Sequence, residues 1–141
     1  MSDAGQGEPR QLRLFFALWP GDAHRAALAR ASAAAVAQVA GRPVPPGNLQ
    51  VTLAFLGSVP ARRFAQVVEI GGQVRCPVVQ LDFGRIEFWA KPKVLVAVAE
   101  AVPAAGQVIV DRLWQGLEPL GFAREPRPWR PHLTLMRQVS R

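Results

Sequence analysis

Apolar side chains recur along the chain in short blocks punctuated by proline and glycine, and their period changes from block to block. The run from Leu12 to Trp19, closed by Pro20-Gly21, predicts a strand. Asp22 follows, and its carboxylate can accept from the orphan N–H groups of a first helical turn. The alanine-rich stretch Ala23 to Ala40 predicts a helix ended by Gly41. Pro43, Pro45 and Pro46 make the next connection non-helical. From Asn48 to Gly57 the pattern has period two. It puts Leu49, Val51, Leu53 and Phe55 on one face of a second strand and Gln50, Thr52, Ala54 and Leu56 on the other. Pro60 can start a helix that carries Phe64, Val67, Val68 and Ile70 and ends at Gly71-Gly72. Two strands are predicted at Val78 to Phe83 and Lys93 to Ala99, with Phe88-Trp89 between them. Pro103 opens a long helix in which Val108, Ile109, Leu113, Leu117 and Leu120 recur at helical spacing, and Gly121 stops it. A Pro- and Arg-rich loop, Arg124 to Pro131, leads into a last strand, His132 to Met136. Phe15, Phe16, Trp19 and Trp114 are expected in the core, with Cys76 as a small buried hydrophobe.

Alternating strands and helices give an α/β or α+β class. A weak internal echo favours two similar lobes: Gln50-Val-Thr-Leu53 and His132-Leu-Thr-Leu135 each follow a strand–helix segment and a proline-containing lead-in. The length of 141 residues fits one domain, taken as 12–141, behind a flexible tail at 1–11. No apolar run reaches the ~18 residues of a membrane helix, and Met1 to Arg10 lacks a signal-peptide core, so a cytoplasmic protein is expected. One cysteine excludes an internal disulfide framework and a multi-cysteine zinc site.

The formal charge of +7 changes the picture further, because Lys91 and Lys93 are the only lysines among 17 basic residues. Arginine suits phosphate, since its planar fork matches the oxygens. A GC-rich genome would give the same composition, so the charge alone leaves both readings open. The placement is uneven, with Arg124, Arg127, Arg130, Arg137 and Arg141 crowding the end of the sequence against Glu125 alone.

His132 and Thr134 are two residues apart on a predicted strand, so both side chains share one face. Imidazole exchanges a proton near neutral pH, and a threonine hydroxyl can donate to a phosphate oxygen. Strict alternation puts Arg137 on the opposite face. Arg130 reads as a solvated loop arginine, with a phosphate within reach as the alternative. Phe88, Trp89 and Trp129 read as packing side chains, with base stacking as the alternative. Lys91 and Lys93 read as a solvated turn, and His24 as a surface or packing residue.

With these residues in place the sequence resembles the two-histidine phosphoesterases, and within them the bacterial RNA 2′,3′-cyclic phosphodiesterases, historically called 2′-5′ RNA ligases. Four segments carry the resemblance: RLFFALWP, NLQVTLAFLG, FGRIEFWAKPKVLVAVA and RPHLTLMR. It implies a bilobal α+β fold of the LigT-like kind, with two pseudo-symmetric lobes around a central, positively lined groove. It implies that His132 is the general base that activates water, and that Thr52 and Thr134 hold phosphate oxygens. The first-motif histidine would protonate the departing ribose oxygen, and this chain has Gln50 there. No metal and no other cofactor is implied. The implied partner is RNA with a 2′,3′-cyclic phosphate end, or a small cyclic nucleotide, acted on by a monomer away from any membrane.

Glutamine can hydrogen-bond a phosphate oxygen but has no titratable proton near pH 7. Weakened turnover is therefore one expectation, and a non-catalytic module that holds RNA ends or nucleotide phosphates is the alternative. Family members usually continue past the second motif, whereas this sequence ends five residues after Met136. The expectation is that C-terminal strands are missing and that the sheet around His132 lacks neighbours, leaving an open edge.

Overall fold

The computed structural model describes residues 10–140. Six strands and three helices follow in the order β1 (Gln11–Leu18), α1 (Asp22–Ala37), β2 (Ala40–Pro43), β3 (Val51–Pro60), α2 (Phe64–Gly72), β4 (Phe83–Trp89), β5 (Val94–Ala99), α3 (Ala104–Leu117) and β6 (His132–Ser140). Single 3-10 turns at Pro46–Asn48, Ala61–Arg63 and Glu118–Leu120 link them. The class is α+β. The strands form two antiparallel sheets, a β1–β3 pair and a four-stranded sheet ordered β2-β6-β5-β4. The two repeated motifs thus belong to different sheets.

Helix α3 owes its place to the predicted spacing. Ile109, Val110, Leu113, Trp114 and Leu117 face Leu53 and Ala54 of β3 in one buried cluster. A second cluster joins the sheets, with Leu49 and Val51 from the β3 side against Ala97 of β5 and Leu133 and Leu135 of β6. Leu18 and Trp129 pack against both clusters, so they sit at the seam between the sheets. Among the described residues, no helix is long and apolar enough to cross a membrane.

Several expectations are corrected. Most of the predicted tail lies outside the described residues, but Gln11 already belongs to β1, where its side-chain oxygen accepts from the Ser58 hydroxyl at 3.0 Å. Gly21, not Asp22, occupies the cap position of α1. Asp22 instead enters the first turn and pairs with Arg25, one turn along, where a carboxylate also suits the helix dipole. The helix stops at Ala37, and Gly41 serves β2 rather than a helix end. A side chain at Gly41 would put its Cβ 3.0 Å from the Arg137 carbonyl, so glycine allows β2 to approach β6. β6 is an interior strand, but β2 pairs with it only from Met136 to Ser140 and β5 from His132 to Met136, so the expected open edge is confined to the His132 end. The short sheet is the other one.

The strand predicted at Val78 to Phe83 does not form there. Val78 is 97% exposed, and the strand runs instead from Phe83 to Trp89, because that segment pairs with β5 from Phe83↔Ala99 to Trp89↔Val94. Phe88 and Trp89 thus stand on a strand and not between strands. The alternation along β3 also breaks. Leu53 and Leu56 have no opposite residue on β1, so two bulges each advance the face by one position. Leu53 and Ala54 are consecutively buried as a result, and Phe55 turns outward at 50% exposure, under the Arg13 guanidinium. Gly57 beside the second bulge has φ 75°, a conformation that favours glycine. A two-stranded sheet covers one face only, which leaves Phe15 and Trp19 exposed while Phe16 packs inward. Cys76 is exposed as well.

Candidate active site

Strand β3 from the short sheet and β6 from the large one meet at the seam. Above their junction lies a groove of about 850 Å³. Thr52 from β3 and His132 from β6 both line it. Around them stand Trp89, Trp114 and Trp129, together with the basic side chains of Lys91, Arg124, Arg127 and Arg130, against Glu125 as the one acid in the lining. A groove of this size with apolar walls and convergent cations suits a nucleotide and its phosphate.

The His132 ring is held on several sides. Its Nδ1 lies 2.8 Å from the Arg130 carbonyl oxygen, which can only accept, so Nδ1 carries the proton and Nε2 keeps its lone pair. The indole of Trp89 lies against the imidazole, with centroids 4.6 Å apart at 56°. Burial pushes the imidazole below its ordinary value of 6.5, and the nearby Arg130 charge pushes the same way, while the bond to the Arg130 carbonyl opposes them. The ring is therefore neutral, and basic at Nε2, at neutral pH.

Trp129 fixes the loop over the seam. Its Nε1–H donates to the Thr52 carbonyl at 2.9 Å, tying the loop before β6 to the first motif. Gly106 on α3 leaves room for this indole, since a Cβ there would come within 2.9 Å of the ring. Gly106→Ala gains about 1 kcal/mol of helix propensity but overpacks a ring that its hydrogen bond holds in place, at about 1–3 kcal/mol. We expect a net loss on the order of 1 kcal/mol in urea unfolding. An unchanged or higher midpoint would show that the ring moves freely.

The four residues singled out in the motifs separate into two pairs. Thr52 and His132 come together in the groove lining. Gln50, just ahead of β3, and Thr134, on β6 opposite Val96, are half-buried two residues away along the same segments, outside the lining. Arg137 lies opposite Arg42 of β2 and also outside it. Arg130, read from the sequence as a solvated loop residue, is held by the Glu87 carboxylate at 2.8 and 2.9 Å. Arg124 is likewise held by Asp111 at 2.7 Å, and its hydrogen bond keeps that carboxyl below its ordinary range. Neither acid was singled out in the sequence. The signal for Glu87 was the alternation Arg85, Glu87, Trp89, which becomes visible once β4 is placed at its true position. Among the described residues, no group of three or more His, Cys, Asp or Glu could hold a metal ion.

Comparison with known proteins finds similarity in sequence and in fold. The family model described as LigT like Phosphoesterase matches residues 18–96. An RNA 2′,3′-cyclic phosphodiesterase of Escherichia coli strain K12 is 32% identical over 101 residues, which cover 72% of this chain and 57% of that protein. The chain thus spans little more than half the length of this relative. The crystal structure of E. coli LigT complexed with 3′-AMP superposes with a TM-score of 0.81 at 30% identity, covering 94% of this chain and 76% of that one. A structure described as a phosphoesterase gives a TM-score of 0.75 at 30% identity, covering 95% and 76% of the two chains.

Proposed function

This chain belongs to the LigT-like phosphoesterases, and from that premise we propose that it opens 2′,3′-cyclic phosphates at the ends of RNA, leaving a 2′-phosphate. One observation carries the reading: the two repeated motifs each send a residue, Thr52 from the first and His132 from the second, into a single basic groove. Residues 12–141 act together as one domain in this reading, with the cytoplasm as its compartment. The 3′-AMP complex of the E. coli relative supports a nucleotide as the ligand class.

The reaction follows from the ring geometry. Nε2 of His132 takes a proton from water, and the water oxygen attacks phosphorus. The bond from phosphorus to the ribose 3′-oxygen breaks, and that oxygen leaves with the electron pair. Thr52 and the groove arginines bear the charge on the non-bridging oxygens. Thr134, on the same face of β6 as His132, adds a second hydroxyl donor as the phosphate settles. The departing oxygen needs a proton, which the Gln50 amide cannot supply near pH 7. Solvent supplies it, so the step is slow. We expect the chain to convert a cyclic-phosphate-ended oligonucleotide to a 2′-phosphate-ended product, identified by chromatography against both isomers. A 3′-phosphate product would contradict the assignment of the leaving oxygen.

Gln50 favours a second reading, a groove that holds RNA ends without turning them over. Its expected result is salt-sensitive binding with no product, because phosphate contacts release counterions. Binding indifferent to ionic strength would rule that reading out.

A further inference from the structure

We propose that Glu87 is a positioning residue for the groove histidine, its carboxylate fastening Trp89, whose ring lies against His132, and Arg130, whose carbonyl holds the His132 Nδ1–H. The inference rests on the phosphodiesterase reading for the identity of the reaction, but its geometry stands apart from any substrate.

Glu87 projects from β4, the outer strand of the large sheet, two strands away from β6. Its Oε1 accepts the indole N–H of Trp89 at 2.9 Å and a guanidinium N–H of Arg130 at 2.9 Å. Its Oε2 accepts from Arg130 at 2.8 Å and from Arg85 at 3.0 Å. The bonds to Trp89 and Arg130 converge on His132 from two directions. Trp89 lays its ring beside the imidazole, and Arg130 supplies the carbonyl that holds Nδ1–H. The Arg130 guanidinium also lies over the Trp89 ring, 5.3 Å from its centroid, so Trp89 contacts both Arg130 and His132. One carboxylate thus ties the β4 wall of the groove to the loop before β6.

An exposed ion pair alone would contribute little to stability. That makes the arrangement more telling, because its consequence is the orientation of one ring. A nucleophile activated by a base depends on alignment, and a displacement of about 1 Å can reduce a rate by about a hundredfold. Removing Glu87 frees both Trp89 and Arg130, so the imidazole loses its wall and the backbone carbonyl loses its anchor.

The test reads the ring itself. The chain has two histidines, so His24→Ala leaves a single set of imidazole proton resonances. In that background the carbon-bound ring protons of His132 should be displaced from free-histidine positions by the adjacent indole. Glu87→Gln keeps an acceptor for the Trp89 N–H and should preserve the displacement. Glu87→Ala should lose most of it. Should Glu87→Ala not fold, Glu87→Leu keeps the bulk at this outer-strand position, removes both acceptors, and should show the same loss. A displacement that survives in Glu87→Ala or Glu87→Leu, or that is lost equally in Glu87→Gln, would overturn the proposal. A protein that shows the predicted ring pattern yet opens no cyclic phosphate would contradict the phosphodiesterase reading alone.

Discussion

His132→Ala should lower turnover of a 2′,3′-cyclic phosphate by about 10²–10⁴-fold, the usual range for removing a general base. The neutral, Nδ1-protonated ring offers Nε2 as the proton acceptor of the groove, and alanine has no substitute for it. The pH profile of the parent protein gives the same residue a second signature. The base acts only when deprotonated, so the rate must fall as the pH drops through the pKa of His132. Burial and the Arg130 charge move that pKa below 6.5, so the fall should come below pH 6.5 and disappear in His132→Ala. An acid limb above 6.5, or an unchanged rate in His132→Ala, would remove this residue from the reaction.

Gln50→His should have the opposite effect, raising the rate by about a hundredfold or more. Position 50 stands two residues ahead of Thr52, in the same relation as His132 to Thr134. It is half-buried immediately before β3, so an imidazole there needs no rearrangement of the strand. Histidine supplies the proton that the departing 3′-oxygen otherwise draws from solvent. The gain should appear in kcat, since glutamine and histidine can both donate a hydrogen bond to a bound phosphate. A rise in affinity with no rise in kcat would assign position 50 to binding.

The sequence revealed the motif strands and α3 because their apolar spacing is long and regular. The period along Ile109, Leu113 and Leu117 and the echo at Thr52 and Thr134 are local properties. What it hid depends on pairing. The two bulges that turn Phe55 outward answer to the twist of β1 against β3, and nothing in Leu53-Ala54-Phe55 announces them. The neighbours of β6 were missed because Ala40–Pro43 looks like a helix end, and only its approach to Arg137 makes it a strand. Glu87 was missed for the same reason. Val78 and Val79 resemble a strand more than Arg85-Ile-Glu87 does, but β5 selects the latter as its partner. The site was legible where chemistry repeats along the chain, and hidden where residues far apart in sequence hold one another.

The central claim is that the groove at the seam opens cyclic phosphates through His132. A ³¹P NMR time course on a cyclic-phosphate-ended oligonucleotide tests it most directly, run with the chain, with Gln50→His and with Gln50→His combined with His132→Ala. The predicted record is slow conversion to a 2′-phosphate by the chain, fast conversion by Gln50→His, and none above background in the combined variant. A cyclic phosphate that persists unchanged before folded Gln50→His protein would contradict the claim.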